Sequence, residues 1–118
     1  MYTLNQVQLI GRLGQSPSIS RKDNKKPIAS FSLATEESWK NAEGQWETHT
    51  EWHRIVAYNG LVDIIEKHIT KGQPIYLQGR MRSREWQDAE GLQRRITEVI
   101  ATEVKLLPRA SKNSDVNH

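Results

Sequence analysis

From Pro74 to Trp86 the sequence reads PIYLQGRMRSREW, and the character of the side chain changes at every step. Ile75, Leu77, Gly79 and Met81 are apolar or small. Tyr76, Gln78, Arg80, Arg82, Arg84 and Trp86, which alternate with them, are polar, cationic or aromatic. A period of two belongs to an extended strand, whose successive side chains point to opposite faces. One face of this strand can enter a core. The other, with three arginines in file and a tryptophan at the end, cannot. Cations side by side repel, so such a face calls for an anionic partner.

The rest of the chain fits the same plan. VQLIGRLGQSP reads as a strand ending at Gly14 to Pro17, and Gly11 within it suggests a bulge or a sharp bend. SRKDNKKP (20–27) is a polar loop. In IASFSLAT, Ala29, Phe31 and Leu33 take one face and Ile28, Ser30, Ser32 and Ala34 the other. EESWKNAEGQW follows, with Asn41 to Gly44 as its turn signal, and 48–58 reads as a long strand. GLVDIIEKHITKG (60–72) is the one good helix, with Leu61, Ile64, Ile65, His68 and Ile69 on a stripe and Gly72 as its stop. After the arginine strand, Asp88 to Gly91 turns the chain into a last strand, LQRRITEVIATEVKLL. The order is three strands, a helix and two strands. That order predicts a mainly β fold, a five-stranded Greek-key OB-fold barrel with one helix between strands 3 and 4.

The 118 residues suffice for one domain. We expect it to span 1–107, with 108–118 (PRASKNSDVNH) a short disordered tail. There is no cysteine, which excludes disulfides, thiolate metal sites and a cysteine nucleophile. No apolar run approaches the roughly 20 residues of a membrane helix. The N-terminus lacks the pattern of a secretory signal. A soluble intracellular protein without membrane contacts is expected. The net charge of +3 weakly favours an anionic partner, although many proteins share it.

HTEWHRIVAYNG (49–60) admits three chemistries. As a metal site, His49 and His53 would need a helix to share a face. Four residues apart on a strand they are separated by roughly 13 Å, too far for one ion with ligands at about 2 Å. As an acid/base pair they lack a supporting constellation, because the chain has no nucleophile elbow, phosphate loop or dinucleotide fingerprint. We expect no enzyme activity and no cofactor. As a binding surface the segment divides by parity. Trp52, Arg54, Val56 and Tyr58 face one way, and His53, Ile55 and Ala57 form the other, more apolar face.

Aromatics interleaved with arginines suit single-stranded nucleic acid. Each ring can stack on an unpaired base, worth about 1–3 kcal/mol. Guanidinium groups neutralise phosphates and also stack. Other readings stay open residue by residue. Trp46, beside a turn, is as well explained by packing. The arginine file alone could be a solvated face or a subunit contact, and Tyr76 could serve a protein interface.

NQVQLIGRLGQSP, FSLATEESW, TEWHRIVAYNG, KGQPIYLQGRMRSREWQDAEG and TEVIA together resemble the single-stranded DNA-binding proteins of bacteria and mitochondria. The resemblance covers most of 5–107. It implies an OB-fold that assembles as a homotetramer, or a dimer, and wraps single-stranded DNA during replication, recombination and repair. It carries the base-stacking role onto Trp39, Trp52, Tyr58 and Trp86, with Trp46 in support. Together with the strand pattern it makes Arg54, Arg80, Arg82 and Arg84 the expected basic contacts. It places His53 at a subunit interface, and we expect Tyr76, from its place at the start of its strand, to join it there. The alternative of the same fold is an RNA-binding or primosome-type accessory module. The chain as given ends in SKNSDVNH, with one acid. Family members typically end in an acidic tip that recruits replication and repair proteins, so recruitment by that route is left open. The start favours a bacterial cytoplasm, with the mitochondrial matrix as the alternative.

Overall fold

The structure, a computed structural model, describes residues 1–21 and 26–109. Its elements in chain order are β1 (Val7–Leu13), β2 (Ser18–Ser20), β3 (Ile28–Lys40), β4 (Trp46–Tyr58), α1 (Gly60–His68), β5 (Pro74–Gln87) and β6 (Gln93–Leu106). The sheet runs β1-β5-β6-β4-β3-β2, and β1 also pairs with β3 through Arg12 with Ala34 and Leu13 with Leu33. That second pairing closes β1, β5, β6, β4 and β3 into the expected five-stranded barrel, with α1 between β4 and β5. Among the described residues only β4 and β6 run parallel.

Closure requires backbones to approach closely. A Cβ at Gly11 would overlap the Ala34 carbonyl oxygen, and one at Gly79 the Ile100 carbonyl oxygen. Both glycines therefore serve close approach. The β1–β5 register runs unbroken past Gly11, so the strand has no bulge there. It bends instead from β5 to β3 at Arg12. The register break falls in the β5–β6 pairing, between Gln78 and Gly79, where Thr102 is the extra residue of β6.

The core follows the alternation. Ala29, Phe31 and Leu33 of β3, Ile55 and Ala57 of β4, and Ile75 and Leu77 of β5 are buried. Two expectations are corrected. Met81 continues the apolar file of β5 but stands past the end of β1, whose pairing with β5 stops at Val7 and Gly79, and is exposed; the Asn5 side chain pairs with its backbone N–H and C=O, each at 2.8 Å. On α1 the buried residues are Val62 and Ile65, with Ile69 just after the helix, while Ile64 is exposed. A helix of 9 residues buries one narrow stripe, and spacing of three and four selects 62, 65 and 69 over 64. The helix ends at His68, earlier than Gly72, which takes its positive φ of 83° in the following turn. The expected tail falls almost wholly outside the described residues.

Two long hairpins, β3–β4 and β5–β6, carry the candidate site. Beyond Thr35, β3 continues to Lys40 and pairs with β4 down to Trp46. Trp39 therefore lies on a strand, where the sequence pattern shows only a strand-to-loop region. The two turns are built alike, from NAEG and DAEG. In each, the first side chain accepts hydrogen bonds from the backbone N–H groups two and four residues on: Asn41 from Glu43 and Gln45, Asp88 from Glu90 and Leu92, all at 2.9–3.0 Å. In each, the glycine takes a positive φ, 78° at Gly44 and 81° at Gly91.

Candidate nucleic-acid interface

Parity along β4 holds, because its register with β3 is continuous from Lys40–Trp46 to Ile28–Tyr58. Ile55 and Ala57 enter the core. Trp52, Arg54, Val56 and Tyr58 take the outer face. The parallel pairing of Val56 with Ile100, and the pairing of Arg80 with Ile100 and Arg82 with Glu98, put the even residues of β4, β5 and β6 on that same face. Arg54, Tyr58, Arg82 and Arg84 are thereby brought together in one shallow cleft.

The cleft has an organiser that the sequence reading missed. Glu98 is only 2% exposed although it lies on the outer face. Arg54 Nε donates to its Oε2 at 3.1 Å, and Arg82 Nη2 and Arg84 Nε donate to its Oε1 at 3.0 and 3.1 Å. Arg82 Nη2 also donates to the Tyr58 hydroxyl at 2.8 Å, and its guanidinium lies over the Tyr58 ring. Burial of the Glu98 carboxyl opposes its ionisation. The bonds from Arg82 and Arg54 and the charge of Arg84 outweigh that, and its pKa lies below the usual carboxylate range. Arg82 is in turn held in its charged form by Glu98 and Tyr58. The arginine file thus has an anion within the chain, and the cluster keeps a net charge of two. Val56 and Ile100 are buried beneath it. Arg80 is exposed and has no ion-pair partner among the described residues.

Two of the four tryptophans, Trp52 and Trp86, share the face of this cleft, one on each hairpin. Trp52 is 56% exposed and its indole lies against Gly14, where a Cβ would stand 2.5 Å from Cζ3. Trp86 is 41% exposed, with the Arg84 guanidinium 5.1 Å from its ring centre. Trp39 stands two residues before its turn, as Trp86 stands before its own. The strand partner of Trp86 is Arg94, whereas that of Trp39 is Glu47. Trp39 takes the opposite side of the β3–β4 ladder from Trp52 and joins Glu37, Glu47 and Glu51 there. The structure therefore does not gather Trp39 with the arginine cleft.

His53 and Tyr76 lie elsewhere. His53 is half-buried on the core-side parity of β4, and its Nε2 is 2.8 Å from Thr35 Oγ1. It opens on a cleft shared with Leu9 and Ile10 of β1. Tyr76 pairs with Ile10; its hydroxyl donates to Gln78 and accepts from Gln8, each at 3.0 Å. Along Val7–Gly11, β1 pairs with β5 alone among the described residues. His49 lies beside Glu51 on the same strand.

Comparison with known proteins gives this geometry a family. A single-stranded DNA-binding protein of Xylella fastidiosa is 40% identical over 100% of this chain and 88% of its own length. One of Neisseria meningitidis is 39% identical over 95% of this chain, which spans 64% of that relative's length. Among solved structures, that of the Plasmodium falciparum SSB in complex with ssDNA superposes with a TM-score of 0.84 at 35% identity, covering 92% of this chain and 98% of that one. Residues 4–107 match the single-strand binding protein family, a family defined by binding rather than by catalysis. The chain belongs to the single-strand binding protein family.

Proposed function

We propose that this protein binds single-stranded DNA with little sequence preference and shields it during replication, recombination and repair. The observation that carries the reading is the outer face on which Trp52, Arg54, Tyr58, Arg82, Arg84 and Trp86 meet. Rings exposed by about half have no core to fill, and bases offer a π-face to each. Arg54, Arg82 and Arg84 supply the cleft's net positive charge, and exposed Arg80 extends it. Trp39 would contact the strand from the other side of its hairpin.

Residues 1–107 form the binding domain in this reading, with 108–118 as a tail. The open β1 edge, exposed Ile10, Tyr76 and His53 form the contact between copies in a homotetramer. A nucleoid-associated place in the bacterial cytoplasm fits the bacterial relatives.

Titration with poly(dT) at low salt is the direct test. Tryptophan emission falls strongly on binding, and log K falls with log salt by about 0.7 for each phosphate neutralised. Unchanged emission at low salt overturns the reading.

Gly14 supplies a second, sharper test. Its φ lies outside the left-handed region, so alanine suits its backbone. The added Cβ collides only with the Trp52 ring, which can swing away. Gly14→Ala is expected to melt within a few degrees of the parent and to bind dT oligomers about tenfold more weakly, as a stacking ring loses its support. Equal affinity of the two proteins would show that the position of the Trp52 ring is immaterial.

A further inference from the structure

Trp46 is the most exposed of the four tryptophans, at 68%, and nothing in the barrel explains it. It is the first residue of β4, directly after the turn locked by Asn41 and Gly44. Its strand partner is Lys40, whose Nζ lies over the indole at 5.6 Å from the ring centre. A rigid turn thus presents a large aromatic ring with a cation on one face and the rest of its surface open.

The side of the hairpin on which Trp46 lies matters more. Counting along the β3–β4 ladder, Lys40–Trp46, Ser38–Thr48, Glu36–Thr50, Ala34–Trp52 and Ser32–Arg54 fall on one side. Between the two tryptophans this side carries short hydroxyl side chains and a single carboxylate, Glu36. The opposite side carries Glu37, Glu47 and Glu51 around Trp39. A polyanion following the ribbon therefore meets less repulsion along the Trp46 side, and that side leads straight into Trp52 and the arginine cleft. Trp52 lies six residues along the strand from Trp46, roughly 20 Å, a span of a few nucleotides.

We infer that Trp46, with Lys40, is a further base-stacking site that extends the path of the single strand from the Trp52 cleft to the tip of the β3–β4 hairpin. The inference rests on the proposed DNA binding and adds a residue to it. A base stacks on the open part of the indole. Lys40, held against the ring by the cation–π contact, neutralises the adjoining phosphate.

The test compares the full chain with Trp46→Leu, Trp46→Phe and Lys40→Gln on dT oligomers of increasing length, followed by the anisotropy of a labelled strand. Trp46→Leu is expected to keep the circular dichroism and the light-scattering mass of the parent. It should bind the shortest strands that engage the central cleft as the parent does, and long strands about tenfold more weakly. Trp46→Phe recovers most of the loss, and Lys40→Gln lowers the salt slope on long strands by about 0.7. A penalty that grows with strand length is the signature of an extended path. Equal binding by Trp46→Leu at every length overturns the inference. A changed mass with the same penalty at every length also overturns it and makes Trp46 a contact between copies. Absence of any binding by the parent overturns the DNA reading itself, so the two failures are told apart.

Discussion

Replacing Trp52 and Trp86 together by alanine should weaken binding to a long dT oligomer by about 3 kcal/mol, more than a hundredfold, while the fold survives. The two rings stand on different hairpins, and each is about half exposed. Neither belongs to the buried cluster that holds the barrel together. Each lost stacking contact costs about 1–3 kcal/mol, and distant, independent sites add. The substitutions remove no charge, so the salt slope of binding stays near that of the parent. This separates a loss of stacking from a loss of phosphate contacts. The reporter must be a labelled strand, because the variant has lost two of its fluorophores. Affinity within twofold of the parent would mean that the rings serve something other than bases. A change of light-scattering mass without a change in affinity would make them a protein contact.

Strand alternation made the barrel legible because a barrel strand has one dry face and one wet face. It stopped being legible where the strands leave the barrel. EESWK has no core to alternate against, and only its pairing with β4 keeps it extended. That is why Trp39 reads as a strand-to-loop region in the sequence and lies on a strand in the structure. β2, three residues long, is too short to show any period. The helix stripe failed at Ile64 for a related reason, since a short helix offers several stripes of similar hydrophobicity and the barrel selects one.

The arginine face shows the opposite limit. Parity places Arg54, Arg82 and Arg84 outside correctly, but repulsion among them does not identify the anion that relieves it. Part of the answer is in the chain. Counting back from the DAEG turn, one residue on each strand at a time, pairs Arg82 with Glu98. That count needs only the turn and two strands. Arg54 is different, because it reaches Glu98 from β4, whose parallel pairing with β6 is a consequence of closing the barrel and leaves no local mark.

Glu98→Gln should therefore destabilise the protein by about 2 kcal/mol at neutral pH, seen as a fall of roughly 10 °C in melting temperature. Glutamine keeps the volume but loses the charge, and one end of its amide becomes a donor facing guanidinium donors. Removing one partner of a buried ion pair commonly costs about 3–5 kcal/mol. The smaller figure applies because all three guanidinium groups are partly exposed and water relieves some of their repulsion. The pH dependence provides a check that a packing defect would not reproduce. The folded-state pKa of Glu98 is depressed, so its contribution is present above the unfolded pKa and fades as pH falls through the folded value. The parent should lose its advantage over Glu98→Gln as the solution is acidified below about pH 4, and the two melting curves should converge. A gap that stays constant from neutral to acid pH would mean that Glu98 acts by filling space. The arginines on the outer face would then hold their positions without it.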